Sequence, residues 1–307
     1  MKYYVGMDVG ATTMRIKIAD ENGNFLLEHE SEGGSVNVYG YDYVQNLYRN
    51  GLGDALAEGG LTPGDCICLC AGATGVDNPE LHETYTRLVS ELGFPRERLR
   101  IYNDCGVLLH IDESADTIAV VAGTGSIMTA RRASDGKEDR FGGHGHMLSD
   151  DGSGFFIAKE GILRIFRYLD GYGDCEYMTR RFQEMSGLKT RGEIGLHYQN
   201  NCIANKNAIS QYAPAITEAA EHGDPGALEI MEISAKGLFM GVEAVAKKLN
   251  FTADNEINFI YWGSILEKVP LVSNRLTELV LEKFPKARFT MPEGGAVDVA
   301  LRIALRG

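Results

Sequence analysis

The chain has 307 residues and a mass of 33.6 kDa, enough for two domains of ordinary size whose cores need no disulfide or metal staple. Thirty Lys and Arg against 43 Asp and Glu leave a formal charge of −13, which argues against nucleic acid or an anionic membrane as partner. An anionic ligand would then be held by backbone N–H groups, helix ends or a metal ion rather than by a basic patch.

The first residues lack the apolar core of a signal peptide, and no run of about 18 apolar residues occurs. The expectation is a cytoplasmic protein with no membrane partner and reduced cysteines. Tyr3-Tyr4-Val5-Gly6-Met7 predicts a strand running into Asp8-Val9-Gly10-Ala11-Thr12-Thr13. Period-two alternation over Met14–Ala19 predicts a second strand, and Asn22-Gly23 a hairpin turn before Phe25-Leu26-Leu27. Cys66–Cys70 reads as a further strand, ending in Ala71-Gly72-Ala73-Thr74-Gly75. Its alternation puts Cys66, Cys68 and Cys70 on one face, as small buried apolar groups rather than metal ligands. Leu81, Tyr85, Leu88, Val89 and Leu92 form one helical stripe; Leu99–Tyr102 is a short strand with Asn103-Asp104-Cys105 at its end.

The pattern then recurs. Thr117–Ala122 predicts a strand, followed by Gly123-Thr124-Gly125-Ser126, a second strand and an Asp135-Gly136 turn. A shift of 113 positions puts Gly10 on Gly123, Thr13 on Ser126 and Asn22-Gly23 on Asp135-Gly136, which implies two related domains. A glycine-rich loop from Phe141 to Gly154 leads into a helix with Ile162, Ile165, Phe166 and Leu169 on one face. Residues 171–307 are helical by pattern except for a strand at Ile257–Trp262 that ends in Gly263-Ser264. No low-complexity linker separates the halves, so closely packed domains with a cleft are expected.

Two Gly/Thr turns after strands in an acidic chain point to a phosphate clamp, since glycine lets backbone N–H groups approach phosphate oxygens and hydroxyls add donors. Asp8 at the first turn is placed either to hold Mg²⁺ against the β- and γ-phosphates or to cap its strand end. Neither turn is a GxxxxGK[ST] loop, and no GxGxxG follows the first strand. His144 and His146 are too few for a metal centre of their own.

Gly6-Met7-Asp8-Val9-Gly10-Ala11-Thr12-Thr13 and Ala122-Gly123-Thr124-Gly125-Ser126 resemble the two phosphate motifs of the actin-like ATPase and sugar kinase superfamily. Gly142-Gly143-His144-Gly145-His146-Met147-Leu148-Ser149-Asp150-Asp151-Gly152-Ser153-Gly154 is similar to the sugar loop of the N-acetylglucosamine kinase group, which is related to the BadF/BadG-type ATPases. Pro292-Glu293-Gly294-Gly295-Ala296-Val297 is similar to the motif before the last helix. The resemblance implies an α/β fold of two related actin-like (ribonuclease H-like) domains with a cleft between them. It implies an N-terminal domain over 1–115, a C-terminal domain with a helical insertion over 116–290, and a helix over 291–307 packing back on the first.

The resemblance also implies roles. Asp104 matches the general base, which an attacking hydroxyl needs as it meets the γ-phosphate. Asn37, Asp104, Thr124, Gly143, His144 and Asp150 match sugar-binding positions. Gly10, Ala11, Thr12, Thr13, Gly123, Thr124, Gly125, Ser126, Gly263 and Ser264 match nucleotide-binding ones, with Asp8 for Mg²⁺. The implied activity is an ATP-dependent amino-sugar kinase, N-acetylglucosamine at the 6-hydroxyl leading, with N-acetylmuramic acid or glucosamine as alternatives and a homodimer as the expected assembly. His144 stands where the group has Trp, which bears on the sugar's substituent. An ATPase that activates a radical dehydratase shares Gly10-Ala11-Thr12-Thr13-Met14-Arg15 but needs cysteines from two subunits to hold a [4Fe–4S] cluster, and no Cys lies in the second turn. A sugar sensor has no use for Asp104.

Overall fold

The computed structural model describes residues 1–76, 78–202 and 205–307. The chain forms two compact units, Met1–Glu113 with Pro292–Gly307, and Ser114–Met291. In chain order the first unit holds β1 (Tyr3–Val9), β2 (Thr13–Asp20), β3 (Phe25–Glu32), α1 (Val36–Tyr39), α2 (Tyr41–Gly59), β4 (Cys66–Ala73), α3 (Pro79–Ser90) and β5 (Leu99–Asn103). The second holds β6 (Asp116–Ala122), β7 (Ser126–Arg131), β8 (Glu138–Gly142), α4 (Gly154–Leu169), α5 (Glu176–Ser186), α6 (Arg191–His197), α7 (Lys206–Ser210), α8 (Ala213–Glu221) and α9 (Pro225–Lys248). It continues with β9 (Ile257–Trp262), α10 (Ser264–Lys268), α11 (Pro270–Lys283) and β10 (Arg288–Thr290), after which α12 (Ala296–Ala304) belongs to the first unit.

One sheet design occurs twice. The first sheet runs β3-β2-β1-β4-β5 and the second β8-β7-β6-β9-β10, each with two antiparallel pairs on one side and two parallel pairs on the other. Two related α/β units are thus what the chain builds.

In the first unit, Tyr3, Val5, Met7 and Val9 alternate along β1 and are fully buried with Tyr48 and Leu52 of α2 and Tyr85 and Leu88 of α3. Gly6 faces the opposite way, where a Cβ would lie 2.3 Å from the backbone nitrogen of Leu301 on α12. The absent side chain is what lets α12 press onto the sheet. Lys17 of β2 donates to Asp298 at 2.6 Å and secures the start of that helix.

Three details differ from the sequence reading. The β1–β4 register slips between Tyr3 and Tyr4, so Cys66 pairs with Tyr3 while Cys68 pairs with Tyr4 and Cys70 with Gly6. Cys66 therefore joins Leu69, Ala71 and Ala73 in the core under α2 and α3, and the three cysteines do not share a face. The second glycine turn is shorter: Val9 pairs with Met14 but Ala122 pairs with Ser126, so Ser126 stands where Met14 does, and the 113 shift breaks inside the loop. Residues 171–307 also contain β10, three exposed residues with no apolar alternation to betray them. Among the described residues no helix is long and apolar enough to cross a membrane.

Candidate active site

In the first unit, Asp8 lies near the end of β1, opposite Arg15 on β2 and Gly72 on β4. A Cβ on Gly72 would meet Val107 at 3.2 Å and the Asp104 Cα at 3.5 Å, so glycine lets the turn after β5 close over this point. Burial raises the Asp8 pKa, the negative charge of Asp104 raises it further, and the Arg15 guanidinium opposes both. The two carboxylates therefore sense each other. Asp104 accepts a hydrogen bond from the Cys105 N–H at 2.9 Å, and the Asn103 side chain accepts from the same N–H at 3.0 Å, which orients the turn that carries Asp104.

The loop after β1 closes by the Gly10 N–H donating to the Thr13 carbonyl at 2.9 Å. Gly33 donates to Thr12 at 3.1 Å and has no room for a side chain, since its Cβ would sit 2.6 Å from the Gly10 carbonyl oxygen. Ala11 and Thr12 are left exposed at the tip. Asn37, exposed on α1, has its amide nitrogen 3.5 Å from where a Cβ of Gly75 would be, and Gly75 needs glycine for its φ of +88°. Tyr85 ties these segments: its hydroxyl accepts from Val36 N–H and donates to the Thr74 carbonyl, both at 3.0 Å. The sequence reading placed Tyr85 in the core stripe alone; a buried Tyr needing a hydroxyl partner was the available signal.

In the second unit, Gly123 N–H donates to the Gly125 carbonyl at 2.9 Å. The start of α4 grips the same loop, Gly154 donating to Gly123 at 2.8 Å and Phe155 to Thr124 at 3.2 Å. Asp150, 5% exposed and at φ +77°, accepts from Ser126 N–H at 3.0 Å, and the Lys206 ammonium lies 3.5 Å from its other oxygen. Its carboxylate is committed within the chain, beneath the loop. Gly263 packs against the end of β6, where a Cβ would fall 2.6 Å from the Ala122 carbonyl oxygen.

A cavity of about 580 Å³ opens beside this loop, lined by Gly123, Thr124, Gly154, Ser264 and Lys268 together with side chains from α7 and α8. That volume suits a nucleoside. The α7 and α8 wall, with Asn207, Gln211 and Thr217, was not legible in sequence, because a helical insertion does not announce what it lines.

Gly142, Gly143 and Gly145 all adopt positive φ, 83°, 75° and 86°, and bend the loop sharply around exposed His144, whose N–H donates to Ser149 at 3.1 Å. His146 packs edge-on against Phe155 with ring centroids 4.8 Å apart. Among the described residues no group of three or more His, Cys, Asp or Glu could hold a metal ion. Mg²⁺ asks for less, one or two carboxylates with water and substrate phosphates completing its shell, and Asp8 near the end of β1 fits that demand. The first unit thus gathers Asp8, Asp104 and the Gly10–Thr13 loop, with Asn37 at Gly75. The second gathers Gly123–Ser126, Asp150, Gly263 and Ser264, while Gly143 and His144 stand out on their own exposed loop.

The chain is 23% identical over 305 residues to an N-acetylmuramic acid/N-acetylglucosamine kinase of Clostridium acetobutylicum, covering 99% of this chain and 98% of that one. It is 24% identical to an N-acetyl-D-glucosamine kinase of Dictyostelium discoideum, with 97% of each covered. A glucosamine kinase of Vibrio cholerae matches at 25% identity over 81% of this chain and 82% of its own. Its fold is similar to the crystal structure of a candidate N-acetylglucosamine kinase of Chromobacterium violaceum, at TM-score 0.73, 22% identity and 99% of each chain covered. It is similar too to a ROK-family glucokinase of Streptomyces griseus solved with glucose and AMPPNP, at TM-score 0.53, 15% identity, and 99% and 98% covered. The doubled sheet is therefore that of a two-domain sugar-kinase fold, and with its family model matching residues 5–300, the chain belongs to the BadF/BadG/BcrA/BcrD ATPase family.

Proposed function

We propose that the protein is an ATP-dependent kinase for an amino sugar, with Asp104 as general base. The reading favours N-acetylglucosamine at its 6-hydroxyl, with N-acetylmuramic acid and glucosamine as the nearest alternatives. The observation that carries it is the Asp104 carboxylate, set on an oriented turn beside Asp8 at the sheet's C-terminal edge. The relatives named as amino-sugar kinases, aligned along nearly the whole chain, support the substrate class.

A sugar hydroxyl is a weak nucleophile until its proton has an acceptor. Asp104 takes that proton as the oxygen forms its bond to the γ-phosphorus; the bond from that phosphorus to the bridging oxygen breaks, and ADP leaves with the electron pair. The cavity beside Gly123 and Thr124 takes the nucleoside, and the backbone N–H groups of Thr124 and Gly125 with the Thr124 hydroxyl face the phosphates. Asn37 and His144 present polar groups to the sugar. Mg²⁺, when bound, neutralises charge on the phosphates, and Asp8 would hold it, directly or through water.

The test is ADP release from ATP across N-acetylglucosamine, N-acetylmuramic acid, glucosamine and plain hexoses, with phosphorus NMR locating the new phosphate. The expected result is turnover with at least one amino sugar and a phosphomonoester on its 6-oxygen. No ADP above the sugar-free rate with any amino sugar would overturn the reading.

A further inference from the structure

We propose that Lys206 holds the terminal phosphates of the nucleotide; the inference rests on the nucleotide reading above and adds a residue to it. The chain carries a net charge of −13, so a cation at a phosphate loop has a particular value. Lys206 opens α7, and a Cβ on Gly125 would lie 2.8 Å from its ammonium. The ammonium is thus seated on the backbone of the second glycine loop. Glycine at 125 is what makes room for it.

The pairing of Lys206 with Asp150 is loose. At 3.5 Å it is well beyond the roughly 2.7–2.9 Å of a tight charge-assisted hydrogen bond. The Lys206 side chain is 34% exposed, whereas Asp150 is 5% exposed and spends its other oxygen on the Ser126 N–H. A buried carboxylate needs a counter-charge, and Lys206 supplies it while the loop is empty. An ammonium has three donors, so it can keep Asp150 and still donate to an arriving phosphate oxygen. Asp150 then positions the lysine and the loop together rather than touching the phosphates itself.

The next residue ties this to the nucleoside. Asn207, Ser210 and Gln211, on or just after α7, line the cavity, so one short segment meets the nucleoside and carries the ammonium to the loop. Lys268 lines the cavity from α10, on the wall with Ser264 and Val269, whereas Lys206 is set against the glycine loop itself.

The test compares calorimetric binding of adenosine and of a non-hydrolysable ATP analogue to wild type, Lys206→Met and Lys206→Arg. Lys206→Met is expected to lose roughly ten- to hundredfold in affinity for the analogue while adenosine stays within about twofold, and Lys206→Arg to keep most of the analogue affinity. An equal loss for both ligands would show that the lysine only braces α7, and an unchanged analogue affinity would show that it meets no phosphate; either overturns the proposal. A wild-type protein that binds no adenine nucleotide overturns the nucleotide reading itself, and the wild-type titration shows this before any variant is made.

Discussion

The two units share one sheet and differ in what stands at its edge. Position 8 of β1 is Asp8, flanked by Arg15 and Gly72; the matching place on β6, 113 residues on, is Val121, paired with Trp262. The first unit sends β5 into Asn103 and Asp104, whereas the second ends β10 at Thr290. Between its third and fourth strands the first unit carries α1 and α2 with one 3-10 turn at Pro63–Asp65, and the second carries α4 to α9. The first copy has thus acquired carboxylates and the second a walled cavity. A repeated sheet differs in its strand-end residues in one copy and in its inserted helices in the other, and the proposed function draws on both differences.

The backbone packing behind this division gives the largest stability effect. Gly6 meets α12 so closely that Gly6→Ala would drive a methyl group into backbone atoms of Leu301, which cannot rotate aside. A loss of roughly 3 kcal/mol is expected, with thermal unfolding as the measurement. The matching residue of β6 is Ala119, buried and already bearing that methyl, so Ala119→Gly should cost only about 1 kcal/mol. Equal losses at the two positions would mean that the copies are not packed differently.

Asp8 offers a smaller effect of opposite sign. Its pKa is raised in the fold by burial and then by Asp104, so the protonated form is the one that folding favours. Such a group contributes stability while protonated and loses it as pH rises through the raised value. Asp8→Asn should therefore unfold at a temperature higher than wild type by roughly 2 °C at about pH 7, with the gap closing toward about pH 4, while turnover falls. A gap that does not change with pH would contradict the buried repulsion.

The thiols give the smallest response, and the same one in both units. Burial, with a lesser push from Cys68, takes the Cys66 thiol up to about 12; burial likewise raises Cys68 and Cys70 in the first unit and Cys175 and Cys202 in the second. Iodoacetamide at about pH 8 should leave all five unmodified in the native protein and react with them once it is unfolded, as read by mass spectrometry. Labelling of Cys66 in the native state would show that the slipped edge of β4 opens.

The strands of both hairpins were legible because alternation and the Asn22-Gly23 and Asp135-Gly136 turns are local signals. So was the repeat, and with it the two related units, while the α/β class came from the family resemblance. The slip at Ile67 was not, because a bulge is decided by what the neighbouring strand offers, and the alternation of CICLC reads the same with or without it. β10 was missed because an exposed edge strand of three residues needs no apolar pattern. In the site, Asp8 and both glycine loops stood out from residue type and pattern, and Asp104 from the family resemblance alone. Tyr85 and Lys206 did not: one lies in an ordinary core stripe, the other begins a five-residue helix, and the hydroxyl and ammonium gain their meaning from segments distant in sequence.

Asp104→Asn tests the central claim most directly. The amide keeps the shape of the side chain and its ability to accept from the Cys105 N–H, but cannot take a proton from the sugar. With turnover measured by ADP release and binding of sugar and of an ATP analogue measured separately by calorimetry, turnover should fall by roughly 10²–10⁴ while both affinities stay within about threefold. Turnover within about threefold of wild type would contradict the account, since the carboxylate would then not be the base.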